Sequence, residues 1–302
     1  MTPNQADIVP QDLSDAVRRS RERFMAASDE IRQRLHRFCY RMTGSALDGE
    51  DLVQETLMHG FFRLHSLRDE AALEAWLFRI AHNKCVDFLR RSRRELPLDE
   101  QSELPDDAML PDPVQSQQEV ELAIAKVVGR LPPKERACLV LRDVLGYSLE
   151  ETAEVVGSTL GGVKAALHRG RGKLSGPGES RPSRELSAEE RGLVQAYLDR
   201  FNRQDWDGVR ELLGADARLR VVGFSDGPYG TGYGTNYAAL PYRWKLALAH
   251  VDGDETCVHF KEVDGAWKAH TALRIRCRDG AIAEVHDYVH SEYVLSNATV
   301  ET

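Results

Sequence analysis

Residues 175–185, SGPGESRPSRE, divide the chain into two parts that cannot share one architecture. Apolar residues before this run of breakers recur at helical spacing, whereas after it two helical stretches give way to alternation with a period of two. Upstream, Ile31, Leu35, Phe38, Cys39 and Met42 share one helix face, as do Val53, Leu57 and Phe61, which predicts a helical domain over residues 14–94. Residues 95–118 then carry Glu95, Asp99, Glu100, Glu103, Asp106, Asp107 and Asp112 with four prolines and little apolar period, the pattern of an extended acidic linker. Helical periodicity resumes near Val120, is broken at Leu131-Pro132-Pro133 and Gly146-Tyr147-Ser148, and predicts a second helical domain over 119–175.

Beyond a second linker at 176–186, residues 187–295 read as an α+β domain. Leu193, Val194, Tyr197, Leu198 and Phe201 mark one helix, and Trp206, Val209, Leu212 and Leu213 a second. Trp267 to Cys277 alternates as a strand, with Asp264-Gly265 and Asp279-Gly280 as hairpin turns to neighbouring strands at 255–263 and 281–293. The expected architecture is two or three helices on a curved antiparallel sheet.

A formal net charge of −8 argues against a chain that adheres to nucleic acid everywhere, so any DNA contact must come from local clusters of Lys and Arg. Cys39, Cys85, Cys138, Cys257 and Cys277 are far apart and sit in apolar-periodic segments, which reads as core thiols, with no metal site and no cofactor expected. No run approaches the roughly 18 apolar residues of a membrane span, and the opening MTPNQADIVPQD has no signal-peptide pattern, so a cytoplasmic location is expected.

The segment SLEETAEVVGSTLGGVKAALHRGRGKL has the offsets of a helix-turn-helix. Ser148 and Glu151 form a capping box, Leu149, Ala153 and Val156 a buried face, Gly157 the left-handed turn, and Val163 with Leu167 the anchor of the second helix. That helix projects Lys164, His168, Arg169, Arg171 and Lys173 with no acid among them, a reader of phosphates and base edges or, in the competing reading, a solvated basic face.

The run from Leu131 to Leu174, with Leu131-Pro132, Gly146 to Ala153 and Val163 to Arg169, resembles region 4 of extracytoplasmic-function sigma factors of bacterial RNA polymerase. The resemblance implies recognition of the minus-thirty-five promoter element through Ser158, Thr159, Lys164, His168, Arg169 and Arg171, and docking on the polymerase β flap. Ala165 and Ala166 depart from the longer polar residues common there. Gly49 to Leu57, GEDLVQETL, resembles region 2.2, which docks on the β′ clamp helices, and the resemblance points to Asp51, Gln54 and Glu55 on an exposed ridge that also holds Met58. Ala75 to Arg94 resembles regions 2.3 and 2.4, in which the position of Asn83 holds a base of the melted strand while Arg79, Lys84, Arg90 and Arg91 hold the backbone. Trp76 fits a core anchor as well as a stacking platform.

In its order of elements the last domain resembles SnoaL-like, ketosteroid-isomerase-like cones, which occur fused to some of these sigma factors. The fusion implies regulation in cis, with a small ligand or protein as candidate partner. Glu284, His286, Tyr288 and His290 share one strand face and Asp287 the other, so His286, Asp287, Tyr288 and His290 are the candidate pocket residues. No residue is assigned a catalytic role; a ligand-binding or catalytic cone is the alternative reading. The glycine-rich loop at 223–234 lacks the lysine of a phosphate loop and reads as a lid or an interdomain contact.

Overall fold

A computed structural model describes residues 11–67, 69, 72–95, 131–174, 183–230 and 232–302. Apart from Glu95, the acidic linker lies outside the described residues. The first domain is three helices, α1 (Gln11–Thr43), α2 (Ala46–Phe62) and α3 (Leu73–Glu95). The predicted seam of Leu35, Phe38, Cys39 and Met42 is fully buried against Val53, Leu57, Leu77, Phe78, Ala81 and Cys85. Helices α1 and α2 cross closely because Gly49 has no side chain: a Cβ there would stand 2.8 Å from the backbone nitrogen of Tyr40 and 2.9 Å from its Cα.

In the second domain α4 (Pro133–Leu139) runs into a π turn at Val140–Val144, followed by α5 (Leu149–Val156) and α6 (Leu160–Leu174). The two helical domains share one hydrophobic core. Across it the rings of Phe78 and Tyr147 lie 5.2 Å apart, and the buried Arg136 guanidinium donates to the Met42 carbonyl and, at 3.1 Å, to that of Leu131.

The third domain packs α7 (Ala188–Asn202), α8 (Trp206–Glu211) and α9 (Tyr233–Ala238) on a seven-stranded sheet. Its strands are β1 (Leu213–Val221), β2 (Ser225–Pro228), β3 (Trp244–Val251), β4 (Asp254–Val263), β5 (Ala266–Arg278), β6 (Ala281–Asp287) and β7 (Val300–Glu301), in the order β2-β1-β6-β5-β4-β3-β7. Contrary to expectation the sheet is mixed, since β1 and β6 are parallel; the chain between them is long enough for such a crossover. The β3–β4, β4–β5 and β5–β6 hairpins turn on Asp-Gly pairs with positive φ at both residues, Asp252-Gly253, Asp264-Gly265 and Asp279-Gly280. Leu213 opens β1 and does not extend the second helix. Strand β6 ends at Asp287, whose side chain accepts the Val289 N–H at 2.9 Å and turns the chain out of the sheet, so Tyr288 and His290 lie beyond the strand.

One sheet face carries Leu219, Leu246, Cys257, Leu273, Ile275 and Val285 against α7, α8 and α9. The other carries Val222, Ala249, Val251, Val258, Phe260 and Ala272, and Tyr40, Ala46 and Leu47 of the first domain pack on it. Both faces are therefore interior. Gly49→Ala should push α2 off Tyr40 and cost about 1–3 kcal/mol, read as a lowered urea midpoint with an unchanged slope.

Candidate functional site

The helix-turn-helix forms as its local signals require. Ser148 Oγ accepts the Glu151 N–H at 3.1 Å and Glu151 returns the bond at 2.7 Å, while Gly157 takes φ +62°. The buried side of α5 is Thr152, Ala153 and Val155, with Leu149 and Val156 only half-buried, a shift from the face expected. Thr159 Oγ1 accepts the Gly162 N–H at 3.1 Å at the start of α6. Of the two departures Ala166 is a core residue and Ala165 is exposed, and Gly170 lies where a Cβ would meet Leu139 at 2.8 Å, which lets α6 pack on α4.

Lys164 and His168 project from α6 into solvent. Arg169, Arg171 and Lys173 are drawn back to acids of their own domain: Arg169 to Glu135 at 2.8 Å, Lys173 to Glu135 at 3.1 Å, and Arg171 in a two-pronged pair with Asp143 at 2.7 and 3.0 Å. On α3, Arg79, Asn83, Arg90 and Arg91 are exposed, with Arg90 paired to Asp87 at 3.1 Å. Lys84 reaches Glu55 of α2 at 3.0 Å, joining a candidate DNA contact to a candidate polymerase contact. Trp76 packs against the core beside Gly60.

The acidic ridge of α2 is not uniformly open. Glu55 and Met58 are exposed, but Asp51 lies under the third domain, where Arg274 Nη1 donates to it at 3.0 Å and the Tyr288 hydroxyl at 2.9 Å. The second prong of Arg274 meets Asp48 at 2.9 Å. Glu50, fully buried one residue away, accepts from Tyr293 at 2.8 Å, Ser291 at 3.2 Å, Arg32 at 3.3 Å and Gln54 at 2.7 Å. Burial works against the charge of Arg274, but Tyr288, Asp48 and Asp51 outweigh it and hold the guanidinium pKa above its ordinary value. Burial likewise pushes the Asp51 carboxyl up, against Arg274 and the Tyr288 hydroxyl. His286 stands 3.9 Å from Asp51, yet burial followed by repulsion from Arg220, Arg276 and Arg274 lowers its pKa to about 4, so it faces Asp51 as a neutral ring.

The sigma-70 region 2 family matches residues 29–95 and the sigma-70 region 4 family residues 121–174. Among curated proteins, the ECF RNA polymerase sigma factor SigG of Mycobacterium tuberculosis is 34% identical over 64% of this chain and 60% of its own length. SigM of the same organism is 31% identical over 49% of this chain and 76% of its own length. The chain belongs to the ECF RNA polymerase sigma factors. It spans 60% of SigG, the longer of those two matches. A crystal structure of the M. tuberculosis sigma factor SigJ aligns with 87% of this chain and 95% of its own at 21% identity and a TM-score of 0.33.

The residues of this ECF sigma factor that sequence patterns did not single out are Arg274, Asp48 and Glu50. Arg274 appeared as one of several charged alternates of a strand, and only the packing of two domains distinguishes it from Arg276, which turns to Glu284 at 3.3 Å. The loop at 223–234 divides: Gly223 abuts Gln54 and Arg32 of the first domain, Ser225–Pro228 forms β2, and Tyr233 opens α9. The His290 ring lies tilted against Phe224 with centroids 5.5 Å apart, near enough to Asp287 to favour its carboxylate. Among the described residues no group of side chains could hold a metal ion, and no helix is long and apolar enough to cross a membrane.

Asp287 faces the opposite way from His286, into the interior of the third domain. Its carboxylate accepts from Tyr233 at 2.7 Å and Tyr237 at 2.8 Å, and burial raises its pKa to about 6 against these bonds. Such a group stabilises the fold below its unfolded pKa of about 4, and the contribution is lost as pH rises through the folded value. His259 and His286, both lowered to about 4 chiefly by burial, act with the opposite sign: their contribution is present above the unfolded histidine value and lost as pH falls. Asp287→Asn removes only the first effect. Between about pH 4 and 7 the native chain should lose roughly 2–3 kcal/mol relative to that variant, read by urea unfolding at both pH values, so a constant difference would show that the carboxyl does not take up a proton.

Proposed function

We propose that this sigma factor binds core RNA polymerase in the cytoplasm, reads and opens promoter DNA at the minus-ten and minus-thirty-five elements, and is held off the polymerase by its own third domain. The single observation that carries the regulatory half is Asp51. This residue of the clamp-docking ridge cannot meet a polymerase surface while Arg274 and Tyr288 occupy both its oxygens. Glu55, beyond the covered part, stays accessible. The domain therefore biases a closed–open equilibrium and needs no separate inhibitor to do so.

Region 4 would contact DNA first through Lys164 and His168. Arg169 and Arg171 would join by exchanging their own acids for phosphate, a cost paired with the gain. The third domain serves as a regulator, since it turns Arg274 and Tyr288 onto the clamp-docking ridge.

Transcription in vitro separates these claims. Replacing Arg274 leaves Asp48 and Asp51 buried without their cation, a loss of about 3–5 kcal/mol that opening the interface relieves. Arg274→Ala and a truncation after Gly176 should each raise affinity for core polymerase and promoter-specific output by at least about tenfold. Output unchanged in both would refute masking, and failure of every form to bind core polymerase would refute the sigma activity itself. In the Arg274→Ala background, Lys164→Ala should weaken DNA binding evenly across promoter sequences and lower the salt-dependence slope by about 1, checked by binding titrations at several salt concentrations.

A further inference from the structure

The third domain holds three lysines, Lys245, Lys261 and Lys268, and the fold gathers all of them at one end of β3, β4 and β5. Lys261 stands directly opposite Lys268 in the antiparallel register of β4 and β5, and Lys245 stands opposite Phe260 where β3 meets β4. Among the described residues no carboxylate pairs with any of the three. The arginines of the same domain behave differently: Arg191 meets Glu255, Arg200 meets Glu211, Arg218 and Arg220 share Asp226, and Arg276 meets Glu284. Two of the lysines lie over rings instead. Lys245 Nζ is 4.9 Å from the ring centre of Trp267 and 5.6 Å from that of Phe260, and Lys261 Nζ is 4.2 Å from that of Tyr242, while Lys268 is exposed.

This arrangement works against the fold. Like charges directly opposite each other on neighbouring strands destabilise the pair, and Lys261 with Lys268 is such a pair. The acids at this end are Glu262, held by Arg243 at 2.7 Å, and Asp264 in the turn between β4 and β5. Three ammonium groups therefore gather around one carboxylate that no arginine holds, a local positive excess on a chain of net charge −8. Side chains alternate across the sheet, so Lys245 and Trp267 project on the face that carries Phe260, and Lys261 and Lys268 on the opposite face. The end of the β4–β5 hairpin is a wedge with cations on both sides. Trp267, a large apolar ring, is 39% exposed there.

We propose that this wedge binds a single strand of nucleic acid, with phosphates against Lys261, Lys268 and Lys245 and a base stacked on Trp267. The third domain then carries a nucleic-acid contact of its own, apart from those of α3 and α6, and the contact does not depend on the masking of Asp51. Two properties of the surface select the occupant. A duplex stays straight over about 150 base pairs and would lie along one face of the wedge, whereas a single strand bends around it and meets the cations of both. The bases of a duplex are stacked on one another, while those of a single strand are free to stack on an exposed indole. An acidic peptide would answer the charge but would leave the ring of Trp267 in water. Lysine suits such a strand, because its compact ammonium on a flexible stem follows a phosphate without fixing a register.

The test uses the full chain and three labelled probes: an oligothymidine strand of about 15 nucleotides, its duplex with oligoadenosine, and polyglutamate of similar charge. Binding is followed by fluorescence anisotropy at several salt concentrations. In the paired variant Lys261→Gln, Lys268→Gln, affinity for the single strand should fall at least about tenfold, and the salt-dependence slope by about 1.4, two phosphate contacts at about 0.7 each. Trp267→Ala should weaken the strand at least about fivefold and leave the slope unchanged. The paired lysine variant should keep or raise the thermal midpoint, because it removes a repelling pair. The same losses should appear in the Lys164→Ala background, which separates this surface from region 4. Unchanged binding of the single strand in the lysine variant, or losses that vanish in the Lys164→Ala background, overturns the site. A lowered midpoint in the lysine variant overturns it also, since the lysines then serve the fold. Duplex held as tightly as the single strand, or full binding by Trp267→Ala, overturns the stacking of a base. Polyglutamate held as tightly through the same lysines makes the partner an acidic protein and overturns the nucleic-acid reading.

Discussion

One buried cation organises the relation between the parts of this molecule. Arg274 on β5 is enclosed by Asp48 and Asp51 of α2 and the hydroxyl-bearing ring of Tyr288, and none of the four would be tolerated in its place alone. A sheet face that would otherwise be solvated thereby becomes an interface, flanked by Tyr40, Ala46 and Leu47 against Val258, Phe260 and Ala272. The apolar contacts supply area, and the ion cluster supplies register: a helix face slid by one turn would strand both carboxylates.

Under the proposed masking, the same cluster lets an acidic chain be both a polymerase ligand and its own inhibitor. An acid that must be available to a basic partner is an acid that an internal arginine can hold. Region 4 repeats the arrangement on a smaller scale, with Glu135 and Asp143 holding Arg169, Lys173 and Arg171. In both places the charges of the proposed contact surfaces are balanced inside, so the molecule presents less of its own polarity than its sequence suggests.

Much of this was legible in the residues. The capping box at Ser148, the left-handed Gly157, the core seam of α1 and the Asp-Gly turns at 264 and 279 are local signals that no distant contact overrides. The third such turn, Asp252-Gly253, carries the same signal but sits between strands whose alternation is weaker. What local patterns could not reveal depends on distance along the chain. Arg274 and Asp51 are 223 residues apart, and nothing in a period-two strand tells which alternate charge will be covered by another domain. The end of β6 is hidden for a related reason: the pattern that predicts a strand over 281–293 does not show that Asp287 uses its side chain to turn the backbone. The candidate pair His286 and Asp287 was correctly placed on opposite faces, and only the structure shows that one face looks into a neighbouring domain.

The turn at Asp252 has a further consequence. Its carboxylate accepts the Ala46 N–H at 2.9 Å and the Tyr40 hydroxyl at 3.0 Å, so the first turn of α2 is capped in part from within the third domain, while Ser45 caps Asp48 locally. The amide of Ala46 is thus bonded to a group that belongs to the third domain and would leave with it in the proposed opening. If the molecule opens as proposed, the hydrogen-exchange rate of this one backbone proton at the helix start records how often it does so, without polymerase present.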